Sequence, residues 1–227
     1  MTELLADFEA FIFDMDGLVL DTEPAYFAAW QGALETLGYD ADLDYFRTLS
    51  GCPYAQVEQK LLDLYGTEFD LPLFKEKAGY FWHKQVQTHG IKLKRGVLEL
   101  LDYAESQNIP VGLATNSPAF NALQCLRLAG INQRFPVIVT GDQVKQAKPS
   151  PDVFLTAAER LGVDIRRCVV FEDSHTGIVA ASSAGAYVVY VPSTFPVDPL
   201  TLALSHCVVD NLSQVFESLV KHSANGI

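Results

Sequence analysis

The feature that most constrains the fold is a regular alternation of strand-like apolar segments with helical segments, which begins at Gly96. Strands that alternate with helices predict a parallel sheet with helices on both faces. Earlier in the chain, the apolar run Ala10–Asp14 has the pattern of a strand buried on both faces. We therefore expect an α/β fold with a Rossmann-like, doubly wound parallel sheet. The other predicted strands are Val111–Thr115, Val137–Thr140, Cys168–Phe171, Tyr187–Val191 and His206–Val209.

The stretch between the first two predicted strands has a purely helical pattern, with no strand signal inside it. We therefore expect residues 1–20 and 93–227 to form an α/β core domain, and residues 21–92 to form an inserted all-helical cap domain. The predicted cap helices are Pro24–Leu37, Tyr54–Tyr65 and Leu73–Thr88.

Composition narrows the classes of function. The chain has 227 residues, of which 49% are hydrophobic, so it can bury a substantial core. A net charge of −12 without a basic stripe argues against a nucleic-acid partner. Apolar runs stay short of the roughly 18 residues that span a bilayer, and the acidic start of the chain lacks the pattern of a signal peptide. We expect a cytoplasmic location without a membrane partner, and the oligomeric state is left open.

Smaller features add three expectations. The four scattered cysteines, without paired spacing, are expected to be buried thiols. Ser117 is expected to be the N-cap of a helix that ends at Gly130. Ser150 is expected to be the N-cap of a helix that ends at Leu161.

Polar residues follow four successive segments of the predicted sheet. In open α/β sheets, ligands bind beyond the carboxyl ends of the strands, where loops lead into helices. Several such residues at one edge of the sheet therefore predict a functional site. The candidates are Asp14 and Asp16, Thr115 and Asn116, Lys148, and Glu172 and Asp173.

The carboxylates among these candidates predict a metal site. Asp14 and Asp16 are two residues apart, and carboxylates that share one space repel each other unless a cation joins them. Glu172 and Asp173 add oxygen ligands from another strand end. Because oxygen ligands suit a hard divalent cation, we expect Mg²⁺ to be held by Asp14, Asp16, Asp173 and Glu172.

The same residues can transfer a phosphoryl group from a small phosphorylated metabolite. We expect Asp14 to attack phosphorus and form an aspartyl-phosphate, and Asp16 to act as general acid and base. The Thr115 hydroxyl, the backbone amides near Asn116 and the Lys148 ammonium could bind the phosphoryl oxygens.

Simpler readings of three candidates stay open. Thr115 could bond its own backbone, Lys148 could be a solvated loop residue, and Glu172 could support the metal ligands instead of binding the ion.

The chain contains four motifs at the predicted strand ends: Asp14-Met-Asp16-Gly, Thr115-Asn116-Ser117, Lys148-Pro149-Ser-Pro151-Asp152 and Phe171-Glu172-Asp173-Ser174. In order and in spacing, they resemble those of haloacid dehalogenase-like hydrolases. The resemblance covers nearly the whole chain and is greatest to the branch with β-phosphoglucomutase and sugar-phosphate phosphatases, which have a helical cap. It implies Asp14 as nucleophile, Asp16 as general acid and base with its backbone carbonyl on Mg²⁺, and Asp173 as a metal ligand with Glu172 close by. The second aspartate argues against dehalogenation, which needs neither this acid nor a metal.

Two positions distinguish hydrolysis from mutase activity within this branch. The β-phosphoglucomutases have a histidine where this chain has Tyr26, and an arginine three residues after a cap-loop glycine. If Gly51 is that glycine, Tyr54 stands in place of the arginine. Both departures favour a phosphatase of small phosphorylated metabolites, most simply sugar phosphates. The alternatives are a phosphosugar mutase and a phospho-accepting signalling module without turnover.

Overall fold

The structure is a computed structural model that describes residues 8–49, 54–193 and 196–225. It divides into two compact units. One unit consists of the chain up to Leu20 together with the chain from Leu93 onward, and the other consists of Asp21–Lys92.

A parallel sheet forms the centre of the first unit. Six strands lie in the order β5-β4-β1-β6-β7-β8, and each neighbouring pair is parallel. The sheet grows from β1 in one direction through β4 and β5, and then in the other direction through β6, so its order reverses beside β1. This arrangement confirms the predicted doubly wound α/β fold. The strands are β1 (Ala10–Phe13), β2 (Leu20–Asp21), β3 (Lys92–Leu93), β4 (Val111–Thr115), β5 (Val137–Thr140), β6 (Cys168–Glu172), β7 (Tyr187–Tyr190) and β8 (Cys207–Val208).

The strand β1 is buried along its whole length, because apolar side chains cover both of its faces. On one face, Phe13 stacks on Phe171 with ring centroids 4.8 Å apart. On the other face, Ile12 belongs to a cluster that includes Phe154 and Val170. The register pairs Phe13 with Phe171, so the residues that follow them, Asp14 and Glu172, lie at the same level of the sheet.

Helices flank this sheet and make up most of the second unit. Two of them, α2 and α9, were not predicted, because five or six residues are too few to show helical periodicity. Each begins after an aspartate, Asp42 or Asp198, whose side chain accepts from backbone amides of its first turn. The helices are α1 (Glu23–Leu37), α2 (Leu43–Arg47), α3 (Tyr54–Tyr65), α4 (Leu71–His89), α5 (Val97–Ser106), α6 (Ala119–Leu128), α7 (Asp152–Leu161), α8 (His175–Ala184), α9 (Pro199–Leu204) and α10 (Leu212–Asn225).

Both predicted serine N-caps are wrong. The first amide of α6 donates to the carboxylate of Asp142, at 3.1 Å to Oδ1 and 3.2 Å to Oδ2, while the Ser117 hydroxyl points elsewhere. The N-cap position of α7 is Pro151, and the Ser150 hydroxyl donates to Asp152 Oδ1 at 2.8 Å. The prediction for α6 failed because the carboxylate that caps this helix comes from a distant segment, which the local sequence does not reveal.

The second unit has an aromatic core. Its buried residues include Trp30, Phe46 and Phe74, and Tyr26 stacks on Trp82 with ring centroids 6.1 Å apart. Gly51 and the side chain of Tyr54, on which part of the mutase comparison depends, lie outside the described residues.

Two other expectations concern membranes and thiols. Among the helices of the described ranges, none combines the length and the apolar character that crossing a bilayer requires. Cys125 and Cys168 are buried free thiols, whereas Cys207 is partly exposed, because it lies in the short edge strand β8. Cys52 lies outside the described residues.

Candidate active site

A buried ammonium group lies at the point where the order of the sheet reverses. Lys148 Nζ donates to Asp14 Oδ1, to the carbonyl oxygen of Ala114 at 2.9 Å, and to Glu172 Oε1 at 2.7 Å. Its side chain is only 3% exposed, and Nζ lies 4.7 Å from the centroid of the Phe154 ring. The three N–H bonds of the ammonium thus have three acceptors, one from each of the strand ends β1, β4 and β6. This lysine is a buried part of the site, so the solvated-loop reading is wrong.

Three buried carboxyl groups lie around the ammonium. Asp14, Glu172 and Asp173 each offer an oxygen atom within 4.8 Å of the others. When all four groups are ionised, three carboxylates and one ammonium give this cluster a net charge of −2, and burying net charge is costly. The oxygen ligands and the surplus of negative charge both fit a hard divalent cation.

The pKa values of Asp14 and Lys148 are shifted by burial and by the neighbouring charges. Burial raises the pKa of Asp14 well above its usual range, Lys148 opposes this, and Glu172 and Asp173 add to it. Burial alone would lower the pKa of Lys148, but the Asp14 and Glu172 carboxylates outweigh burial and raise it. The lysine therefore stays charged, and Asp14 is the member of the pair that a further cation would stabilise.

Two glycines let the backbone approach the carboxylates. A Cβ atom added at Gly17 would overlap Oδ2 of Asp173, and one added at Gly177 would overlap the carboxylate of Glu172. Gly17 also has a φ of 86°, a conformation that side chains disfavour. Glu172 Oε2 accepts from the amide and the hydroxyl of Ser174, at 2.8 and 3.0 Å. Both oxygens of Glu172 thus already have hydrogen-bond donors.

The tripeptide Thr115-Asn116-Ser117 lies at the carboxyl end of β4 and makes hydrogen bonds both within itself and to Lys148. The Thr115 hydroxyl accepts from the amide of Ser117 at 3.0 Å, which is the local bond that the simpler reading of this residue anticipates. The Asn116 side chain binds the backbone of Lys148 twice: Nδ2 donates to its carbonyl at 3.1 Å, and Oδ1 accepts from its amide at 2.8 Å. Asn116 thereby holds the lysine in place.

Asp16 has surroundings unlike those of Asp14. Its side chain is only partly buried, and its Oδ2 accepts from the Ser117 hydroxyl at 2.7 Å. The structure thus brings Asp14, Lys148, Glu172 and Asp173 into one buried cluster, and Asp16 accepts a hydrogen bond from Ser117 in the segment after β4. Ser117 was not predicted as a site residue, because a serine directly before a helix indicates an N-cap.

Comparison with known proteins places this arrangement in a family. The sequence profile described as haloacid dehalogenase-like hydrolase matches residues 11–191 of the chain. A protein of Thermotoga maritima named phosphorylated carbohydrates phosphatase is 39% identical over 182 residues, which cover 80% of this chain and 84% of that protein. The fructose-1-phosphate phosphatase YqaB of Escherichia coli is 35% identical over 177 residues, covering 77% of this chain and 91% of YqaB.

A solved structure extends the similarity to the fold. A protein from Thermotoga maritima, described provisionally as a β-phosphoglucomutase, superposes with a TM-score of 0.80 at 33% identity. The match covers 94% of this chain and 99% of that one. By sequence and by fold, the chain belongs to the haloacid dehalogenase-like hydrolases, as a hydrolase of phosphoric monoesters.

Proposed function

We propose that this protein is a Mg²⁺-dependent phosphatase of small phosphorylated metabolites, most simply sugar phosphates, which works through an aspartyl-phosphate on Asp14. The single observation that carries the proposal is the difference between two neighbouring aspartates. Asp14 is buried against the fixed ammonium of Lys148, whereas Asp16 is partly exposed and bonded to Ser117. Carboxyl groups in unlike surroundings are suited to unlike roles.

Asp14 is suited to be the nucleophile. Lys148, held by Asn116, fixes its carboxylate and places a positive charge where the phosphoryl group would arrive. Attack by a carboxylate oxygen forms the bond to phosphorus while the bond from phosphorus to the alcohol oxygen breaks. In the second step, water attacks phosphorus and the Asp14 carboxylate is released.

Asp16 is suited to move the proton in both steps. It would give a proton to the leaving alcohol oxygen and later take one from the attacking water. The Thr115 hydroxyl, the backbone amide of Asn116 and the charge of Lys148 would stabilise the phosphoryl oxygens.

The cluster described above would hold Mg²⁺. Asp14 and Asp173 would supply carboxylate oxygens and Asp16 its backbone carbonyl, and Glu172 could join them through Oε1, which accepts from Lys148 with one of its two lone pairs. When bound, the ion supplies positive charge that lowers the repulsion between the carboxylate and the phosphate ester.

The names of the relatives support a substrate class. Both phosphatases described above are named for phosphorylated carbohydrates, so a sugar phosphate is the first candidate. The unit Asp21–Lys92 would serve as a cap domain that selects the substrate. We infer a cytoplasmic protein without nucleic-acid or membrane partners, in keeping with its net charge of −12.

A phosphosugar mutase is the second candidate, because the similar structure is described provisionally in that way. In a mutase, a second sugar hydroxyl and not water receives the phosphoryl group from Asp14. Tyr26, where the mutases have histidine, favours water as the acceptor. The relatives described above are named as enzymes, which argues against a signalling module without turnover.

The test is phosphate release from a panel of phosphorylated metabolites, measured with Mg²⁺ and with EDTA. We expect Mg²⁺-dependent release that Asp14→Asn abolishes. Phosphate release that persists in Asp14→Asn would contradict the proposal. Conversion of β-glucose 1-phosphate to glucose 6-phosphate faster than phosphate release would favour the mutase.

A further inference from the structure

The bond between Ser117 and Asp16 also bears on how the proposed general acid is held. The Ser117 hydroxyl donates to Asp16 Oδ2 at 2.7 Å, although the two residues are 101 positions apart in the sequence. Both side chains are partly buried. The contact lies wholly within the unit that contains the sheet.

The Ser117 hydroxyl is available for this bond because another residue caps the helix that follows. Asp142 accepts from the amide of Ala119, which is the first residue of α6. The Thr140 hydroxyl donates to Asp142 Oδ1 at 2.5 Å and holds that carboxylate in place. A serine in this position would ordinarily bond its own helix, and the carboxylate of Asp142 removes that competition.

The backbone of Ser117 is fixed on both sides. Its amide donates to the Thr115 hydroxyl at 3.0 Å, and its carbonyl accepts from the amide of Gly141 at 3.4 Å. The glycine is required by this packing, since a Cβ atom there would lie 2.6 Å from the carbonyl oxygen of Asn116. The hydroxyl is therefore presented to Asp16 from a rigid turn.

We propose that Ser117 is the positioning residue of the general acid: its hydroxyl, donating to Oδ2, holds the Asp16 carboxyl group in the orientation from which it delivers the proton. This inference rests on the proposed function. In the first step, the bond from Asp14 to phosphorus forms and the bond from phosphorus to the leaving oxygen breaks. The proton on the Asp16 carboxyl group moves to that leaving oxygen, and Asp16 becomes a carboxylate that still accepts from Ser117.

This role predicts an effect that depends on the leaving group. A poorly basic leaving group departs without a proton, whereas a basic one requires the general acid. Ser117→Ala should therefore lower kcat/KM for phenyl phosphate about tenfold or more, and for p-nitrophenyl phosphate less than about threefold. The ratio kcat/KM is the right measure, because it reports the first phosphoryl transfer and not the later hydrolysis.

Three variants make the test specific. Ser117→Thr keeps a hydroxyl and should restore most of the activity on phenyl phosphate. Asp16→Asn should show the same dependence on the leaving group, but a larger loss. Ser205→Ala is the matched control, because it removes a partly buried hydroxyl that donates to the carbonyl of Thr201 at 2.8 Å; it should leave both substrates unaffected.

Equal losses of Ser117→Ala on both substrates, or no loss on either, would overturn the inference. Loss in Ser117→Thr as large as in Ser117→Ala would do the same, since the hydroxyl would then not be the active group. These outcomes are distinct from a failure of the proposed function, which shows itself as p-nitrophenyl phosphate turnover that survives in Asp14→Asn.

Discussion

Lys148 Nζ lies 2.7 Å from Glu172 Oε1, and the side chains of both residues are almost wholly buried. Glu172 therefore balances the charge of the lysine together with Asp14, and Ser174 donates to the second oxygen of Glu172. A buried ion pair adds little stability as a whole, but the loss of one partner is costly because it leaves the other charge unpaired.

The first prediction concerns this pair. Lys148→Met should remove phosphatase activity and lower the free energy of unfolding by about 3–5 kcal/mol, since Asp14 and Glu172 then lose their buried counter-charge. Adding Glu172→Gln should recover part of that loss. Urea unfolding of the wild type, the two single variants and the double variant, all in EDTA, measures the coupling.

An exposed ion pair provides the control. Lys75 lies 2.6 Å from Glu58, and their side chains are 47% and 25% exposed. Lys75→Met should change the free energy of unfolding by no more than about 1 kcal/mol. A Lys148→Met protein as stable as the Lys75→Met protein would contradict the prediction.

The second prediction concerns the close approach at Gly177. Gly177→Ala should lower stability and kcat/KM together, because the added methyl group would overlap the Glu172 carboxylate and displace it from Lys148. Gly79 is the matched control, since it is also helical and a Cβ there would meet nothing within 4 Å. Gly79→Ala should raise the free energy of unfolding by about 0.5–1 kcal/mol through helix propensity. Thermal unfolding and p-nitrophenyl phosphate turnover are the measurements, and the same effect of both substitutions would count against this account.

The third prediction uses the pH dependence of the Asp142 cap. Hydrogen bonds from the Thr140 hydroxyl and the Ala119 amide lower the pKa of Asp142. Because the pKa is lower in the folded state, the stability that ionised Asp142 contributes is present above pH ~4 and is lost as the pH falls through the folded pKa. Asp142→Asn should therefore be less stable than the wild type at pH 7, and the difference should shrink at pH 3.

Urea unfolding at both pH values checks this, with Glu159→Gln as the control. Glu159 is exposed on α7 and its substitution should give no comparable change with pH. A difference between Asp142→Asn and the wild type that grows as the pH falls would refute the assignment.

The fourth prediction concerns the thiols. Burial raises the pKa of both Cys125 and Cys168 to about 12. At pH 8 a thiol with such a pKa is ionised to a fraction on the order of 10⁻⁴, and the thiolate is the reactive form. In a Cys52→Ser, Cys207→Ser double variant, the remaining two thiols should react with a disulfide reagent only after unfolding in urea. Rapid labelling of the native double variant would contradict this.

The sheet was predictable because continuous apolar runs such as Ala10–Phe13 reveal strands buried on both faces. The helix caps were not, because Asp142 reaches Ala119 across 23 positions of the sequence. The two-residue strands β2 and β3 were missed for a similar reason, since their pairing is a contact between distant segments.

The same holds for the site: its residue types were predictable from local sequence, but the contacts between distant segments were not. The strand ends and the motifs predicted Lys148 and Glu172 as site residues. Their mutual bond was not predictable, because it joins the segment between β5 and α7 to the end of β6. Asn116 was expected near phosphate. In the structure, its side chain also makes two hydrogen bonds to the backbone of Lys148. The partner of Asp16 was missed, because a hydroxyl before a helix is ordinarily taken as its cap.

The pairing of β2 with β3 has a consequence for how such a chain can diversify. These strands lie where Asp21–Lys92 leaves and rejoins the rest of the chain, and they bond to each other. Paired strands lie about 4.8 Å apart. The two ends of the inserted segment are therefore as close together as the ends of a short turn, whatever the length of the segment. The inserted segment can therefore be replaced, lengthened or shortened during evolution without altering the strand register that aligns Asp14 with Glu172.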